Sequence, residues 1–308
     1  MHARTPDSEG VSLQPDRAEL ERMARLLDES GEYRVLRKLR PRSVGAPTAG
    51  PVRTGLFVDV ETTGLEPGRH EIIELAMVPF TYSLDGELLG VGKAFQSLRE
   101  PSHPIPVEIT AITGLDDAKV AGRTIAIDAV QRFVAGAQLV VAHNAAFDRR
   151  FLELFCDVFT TKAWACSMSQ VDWAAEGYES TKLAYLANAA GFFYERHRAT
   201  HDCNAAIELL ARPLPNSGRT GLAHLLDAAR VPSIRIWAEN SPFDLKHLLK
   251  ARGYRWSGGE DGTPRAWWTD VAEADHASEL AWLRAEIYQA DVELTQRRID
   301  AYDRFSAR

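Results

Sequence analysis

Hydrophobic positions first recur with a helical period at Leu20, Met23, Ala24, Leu26 and Leu27, behind Asp16 as an N-cap. This predicts one amphipathic helix packed on the main body, with the basic run at residues 33–40 as a solvated face rather than a partner or DNA contact. From Gly55 the pattern changes to strand-like runs at residues 56–61, 72–80, 88–96, 139–142 and 163–166. The turn signals Glu66-Pro67-Gly68 and Asp85-Gly86 separate the first three, as in a meander, and helices separate the later two. Helical stretches are predicted at residues 106–112, 124–134, 144–156, 182–190 and 201–212. The fold class is therefore α/β: a mixed five-stranded sheet flanked by helices. Pro213, Pro215, Asn216, Ser217 and Gly218 mark a boundary, and residues 221–230 read as a bridging helix. Beyond it, strands at 234–237, 254–257 and 265–268 and helices at 242–251 and 274–288 suggest a small α+β domain. The predicted organisation is an N-terminal helical extension (1–50), a main domain (51–212), a linker (213–230) and a C-terminal domain (231–308), with flexible connectors at residues 1–14 and 42–50.

Composition narrows the function classes. With 308 residues, 45% hydrophobic and 26% charged, the chain can bury a core in each of two domains. No apolar run reaches membrane-spanning length and the amino terminus lacks a signal-peptide core, so a cytoplasmic protein without a membrane partner is expected. Cys156, Cys166 and Cys203 show no CxxC spacing and read as reduced, packed thiols. A net charge of -7 argues against a general electrostatic sponge for nucleic acid, so a polynucleotide substrate would be gripped locally, at an end.

Candidate chemistry starts with Asp59 and Glu61. In an extended strand Phe57, Asp59 and Glu61 share one face while Leu56, Val58 and Val60 share the other. Two carboxylates side by side on an apolar strand call for a divalent cation of the magnesium or manganese type; acids on a solvated turn are the level alternative on this pair alone. Asp148 precedes Phe151, Leu152 and Phe155 at offsets of three, four and seven, and Asp202 precedes Ala205, Ala206, Leu209 and Leu210 in the same manner. Both acids thus sit on core-facing stripes, where an unpaired charge is costly. Helix capping is the competing role for Asp202, with Thr200 an equally good cap. Two divalent ions roughly 3.5 to 4 Å apart would relieve the repulsion among four such acids and clamp a phosphodiester. His197, in the loop five residues before Asp202, is placed to take a proton from water, whereas His201 diverges from Asp202 by about 100° on the helix.

Three segments, Asp59-Val60-Glu61-Thr62-Thr63-Gly64-Leu65, Ala142-His143-Asn144-Ala145-Ala146-Phe147-Asp148 and His197-Arg198-Ala199-Thr200-His201-Asp202, resemble the exonuclease motifs of the DEDD superfamily, in its histidine-type, DnaQ-like branch. The stretch from Pro104 to Leu115 also resembles the linker of the polymerase III epsilon subunits and of exodeoxyribonuclease X. The resemblance covers roughly residues 54–212. It implies a ribonuclease-H-like sheet and stepwise 3′ to 5′ removal of nucleotides. It further implies two Mg²⁺ or Mn²⁺ ions at Asp59, Glu61, Asp148 and Asp202, with His197 as general base. Thr62, Thr63 and Leu65 would seat the terminal nucleotide, and Asn144 and Phe147 are further substrate contacts, or simply a helix cap and a packed ring.

The expected partner is a DNA 3′ end, preferably unpaired, in repair or proofreading. Short or structured RNA is an alternative with the same chemistry. A non-catalytic tethering subunit is the alternative of another class, opposed by the intact acid set. Five of seven tryptophans lie after residue 231, where 11 basic residues face 13 acidic ones. They read as the core of the small domain, with nucleic-acid or protein docking the lesser reading. Oligomeric state is not legible.

Overall fold

The computed structural model describes residues 15–43, 50–259 and 262–307; the connectors expected at 1–14 and 42–50 lie almost wholly outside the described residues. Helix α1 (Arg17–Glu29) opens on a capping box, in which the Asp16 carboxylate accepts the Glu19 N–H at 2.9 Å and Glu19 reciprocates. Its apolar side is not packed as expected: Leu20, Met23, Leu26 and Leu27 are exposed. The helix is tied instead through Asp28, which accepts from the Val35 N–H and the Arg37 guanidinium, both at 2.7 Å. Strand β1 (Arg37–Lys38) then pairs in parallel with residues Phe192–Phe193.

The main sheet contains β2 (Val52–Thr62), β3 (Ile72–Ser83), β4 (Leu88–Val91) and β5 (Phe95–Leu98). After α2 (Val107–Thr113), α3 (Asp117–Val120) and α4 (Ile127–Ala135) come β6 (Leu139–Ala142), α5 (Ala145–Phe155) and β7 (Trp164–Cys166). The order is β4-β3-β2-β6-β7, with β5 also on β3. β2 and β3 are antiparallel, while β2, β6 and β7 are parallel. The mixed sheet is as expected, but it has six strands, because the run at 88–96 breaks in two. Pro79 accounts for the break. Its carbonyl accepts the Gly92 N–H at 2.7 Å on this edge, but the ring offers no N–H in return, so the ladder stops and restarts at Phe95.

Helices α6 (Leu183–Ala189), α7 (Ala199–Ala211) and α8 (Gly221–Arg230) cover one face of the sheet, with β8 (Phe192–Phe193) between the first two. Phe57 points into this layer, and Leu56, Val58 and Val60 point into the other, against α4 and α5. The strand's period of two therefore assigns its side chains to two separate cores.

The last part adds β9 (Ser233–Ala238), α9 (Lys246–Ala251), β10 (Arg255–Trp256), β11 (Trp267–Ala272), α10 (His276–Trp282) and an unanticipated β12 (Gln296–Ile299). These strands form an antiparallel sheet in the order β10-β11-β9-β12. Of the tryptophans expected as core, Trp237 is buried and Trp267 packs on the small core, but Trp256 on the edge strand β10 is 53% exposed, and the Arg235 guanidinium lies 4.0 Å from the Trp268 ring centre. After β12 the chain returns to the main sheet, where the Trp164 N–H donates to the Ala301 carbonyl at 2.7 Å. Among the described residues no helix is long and apolar enough to cross a membrane.

Candidate active site

β2 outruns its parallel neighbour. β6 pairs with it only from Gly55 to Phe57, so the end of β2 that bears Asp59 and Glu61 borders an open edge. A bulge between Glu61 and Thr62 kinks the strand there. The period of two places Asp59 and Glu61 on the face that carries Phe57, against α7, and Asp202 projects from the first turn of that helix. One carboxylate oxygen from each of Asp59, Glu61 and Asp202 lies within 4.8 Å of the others, and all three residues are half-buried.

Helix α7 begins at Ala199, two residues before the predicted start, with Arg198 as N-cap. Thr200 is therefore inside the helix and is not its cap. Asp202 serves the helix start and the site together: its Oδ2 accepts the Arg198 N–H at 3.2 Å, and its Oδ1 accepts the Tyr194 hydroxyl at 2.9 Å. Asp148 arrives from the opposite layer on α5, with Phe151 and Leu152 buried beside it as the helical spacing predicts. Its Oδ1 accepts the Val60 N–H at 3.2 Å, filling the β2 edge that β6 leaves open. Asp148 thus stands just outside the three-carboxylate cluster, joined to it through the backbone between Asp59 and Glu61.

All four acids hold their protons more tightly than exposed carboxyls do. Burial raises Asp59 well above the ordinary range, reinforced by Asp148, Asp202, Glu61 and Glu74. Glu61 is pushed up to about 8 by burial and then by Asp202, Glu74 and Asp148, against the pull of Arg198. Burial lifts Asp148 to about 7 despite the Val60 N–H. Asp202 is also raised by burial, resisted by the Tyr194 hydroxyl, the Arg198 N–H and the nearby charge of His197. An all-oxygen donor set under mutual repulsion fits a hard divalent cation, which would hold these groups ionised at neutral pH.

His197 is exposed, on a turn with φ 59, immediately before the Arg198 cap. The His201 ring faces away, its Nδ1 lying 3.1 Å from the Glu195 carbonyl oxygen. Thr62 is buried and donates its hydroxyl to the Gly64 carbonyl at 2.6 Å. Thr63 is engaged twice by Glu71, donating its N–H at 2.9 Å and accepting on its hydroxyl at 3.0 Å. Leu65 is 79% exposed just beyond the acids. Asn144 makes no side-chain cap bond to α5 and is exposed, while the half-buried Phe147 ring packs 4.9 Å from Phe151.

Sequence reasoning missed two groups. Glu74 is fully buried and directly opposite Glu61 in the β2–β3 register. It accepts from the Ala199 N–H and the Arg198 guanidinium, both at 3.4 Å, and from Gln96. It ties β3 to the first residues of α7, and an acid in the middle of Ile72-Ile73-Glu74-Leu75-Ala76 was the visible signal. Tyr194, eight residues before Asp202 and in a loop, had no periodic signal at all.

The chain is 33% identical over 178 residues to a DNA polymerase III subunit epsilon-like protein of Rhodobacter capsulatus, covering 55% of this chain and 25% of that protein. It is 29% identical over 185 residues to exodeoxyribonuclease 10 of Escherichia coli K12, covering 58% and 76% respectively. A solved structure of exonuclease X in complex with 5′-overhanging duplex DNA superposes with a TM-score of 0.41 at 26% identity, covering 56% of this chain and 98% of that one. The stretch from β2 through α7 that gathers the acids is also the stretch, residues 56–210, that matches the family model described as Exonuclease, and the chain belongs to that family.

Proposed function

We propose that this protein removes nucleotides one at a time from DNA 3′ ends, with a preference for unpaired ends, using two divalent cations and His197. The observation that carries the reading is the convergence of Asp59, Glu61 and Asp202 within 4.8 Å. Together with the raised proton affinities, it describes a site that is unfavourable until a cation enters. Asp59, Glu61 and Asp202 would hold one ion, and Asp148 with Asp59 would serve the second. Bound Mg²⁺ or Mn²⁺ supplies neutralisation of the acids and draws charge from the phosphodiester.

The chain's own residues supply the rest. His197, exposed beside Asp202, accepts the proton of the attacking water as its oxygen bonds to phosphorus; the bond from phosphorus to the 3′-oxygen of the penultimate nucleotide breaks and that oxygen takes up a proton. Leu65 and Phe147 offer apolar surface for the terminal base, and Asn144 a polar contact. The name of the E. coli relative supports DNA as substrate.

Matched 3′-labelled and 5′-labelled DNA and RNA oligomers, with Mg²⁺ or Mn²⁺ and beside Asp59→Ala, test the proposal. Immediate mononucleotide release from the 3′ label of DNA, lost in Asp59→Ala, is expected. Equal turnover by the variant overturns the site. Release from RNA alone overturns the substrate.

A further inference from the structure

The family match ends at residue 210, yet residues 301–306 fasten onto the edge strand β7 and helix α5 of the domain it covers. Besides the Trp164 bond to Ala301, Arg149 on α5 gathers this strap. Its guanidinium is fully buried and donates to the Tyr302 and Arg304 carbonyls, both at 2.6 Å, and to Glu153 Oε1 at 2.8 Å, while lying 5.5 Å from the centre of the Trp164 ring. The Ser306 hydroxyl donates to the other Glu153 oxygen at 2.6 Å. Phe305 packs on the core that holds Phe151, Leu152 and Trp164, in a left-handed backbone conformation (φ 72) that costs roughly 1 kcal/mol and so is imposed by its surroundings.

Arg149 follows Asp148 directly. Adjacent helical residues point about 100° apart, so one side of α5 presents Asp148 to Val60 while a neighbouring side is gripped by the strap. A buried guanidinium is tolerated only with its donors satisfied, and two of the acceptors here come from the far end of the chain. We propose that Arg149 is a positioning residue: by clamping residues 301–306 across α5 it fixes the rotation of that helix and hence the place of Asp148 beside the metal-binding acids. The inference rests on the nuclease reading above.

The test compares the wild type with Arg149→Lys and with a chain ending at Asp300. It measures kcat and KM on a 3′-labelled single-stranded DNA oligomer, Mn²⁺ affinity from the free-ion electron paramagnetic resonance signal, and hydrogen exchange of residues 145–155. The expected result is a fall in kcat of about 10- to 100-fold with KM nearly unchanged, Mn²⁺ affinity weakened several-fold, and faster exchange in α5. Arg149→Lys should be intermediate, and a peptide of residues 296–308 should restore part of the rate of the shortened chain. Unchanged kcat and Mn²⁺ affinity in both variants, even with faster α5 exchange, overturns the proposal. A wild type that releases no nucleotide overturns the underlying nuclease reading instead. Should the shortened chain not fold, full-length Phe305→Ala and Ser306→Ala decide: loss of kcat in step with α5 exchange supports the clamp, and lower melting with unchanged kcat and Mn²⁺ affinity sinks it.

Discussion

Glu61 gives the most direct test of whether these acids are assembled for a cation. Its carboxyl is raised from 4.5 to about 8, and that of Asp148 from 3.8 to about 7. Between these limits the folded protein retains protons that the unfolded chain has released, so without metal its stability is fullest at low pH and falls as pH rises through the window. The Glu61 shift alone corresponds to about 5 kcal/mol at ~1.4 kcal/mol per unit, and solvent screening with shared titration reduces it to roughly 2–3 kcal/mol. At ~2–4 °C per kcal/mol, Glu61→Gln should therefore melt roughly 4–12 °C above the wild type near pH 8.5 in chelator, and show little difference near about pH 5. Groups outside the acid cluster are common to both proteins and cancel in the difference, while Asp59, which Glu61 helps to raise, is relieved by the same change and shifts it in the same direction. Adding Mn²⁺ should reverse the order at high pH, because only the wild type retains the ligand. Thermal denaturation of the two proteins across pH, with and without metal, is the assay. If metal-free Glu61→Gln melts with or below the wild type at high pH, the carboxylate is not electrostatically strained and the reasoning fails.

His197→Ala should lower kcat about 10²- to 10⁴-fold while leaving Mn²⁺ affinity intact, whereas His201→Ala, whose ring faces Glu195, should leave kcat nearly unchanged; steady-state kinetics separate them. Tyr194→Phe removes a donor to Asp202 and lets that carboxyl rise further, so the acid limb of the activity profile should move to higher pH. Gly55→Ala would place a Cβ 2.3 Å from Phe80 Cζ, and overpacking near the start of the strand that bears Asp59 and Glu61 should cost about 1–3 kcal/mol, read by chemical denaturation.

Periodicity made much of the site legible. The alternation along residues 55–61 sorted Asp59 and Glu61 from Val58 and Val60, and the helical stripes behind Asp148 and Asp202 marked both as inward-facing. It could not show that the two helices approach from opposite faces of the sheet, which is why three acids cluster and Asp148 stands beside them. The split of β4 from β5 was hidden because Pro79 acts across the ladder, on a strand it does not belong to. Glu74 was visible as an acid in an apolar run, but its partner Arg198 lies 124 residues away. The strap at 301–306 has neither period nor apolar run; it is defined by carbonyls meeting Arg149, and backbone acceptors leave no trace in composition.

The placement of the acids on β2 has a consequence for heat inactivation. That strand is bonded to β3 along its length and to β6 at its base, so it cannot loosen without dissolving the sheet. The amino-terminal arm, by contrast, hangs on a two-residue ladder and on polar ties from Arg34, Lys38 and Arg42. On gradual warming the arm should peel away early and silently, whereas hydrolytic competence should persist until the cooperative collapse, so that the inactivation and unfolding curves superimpose.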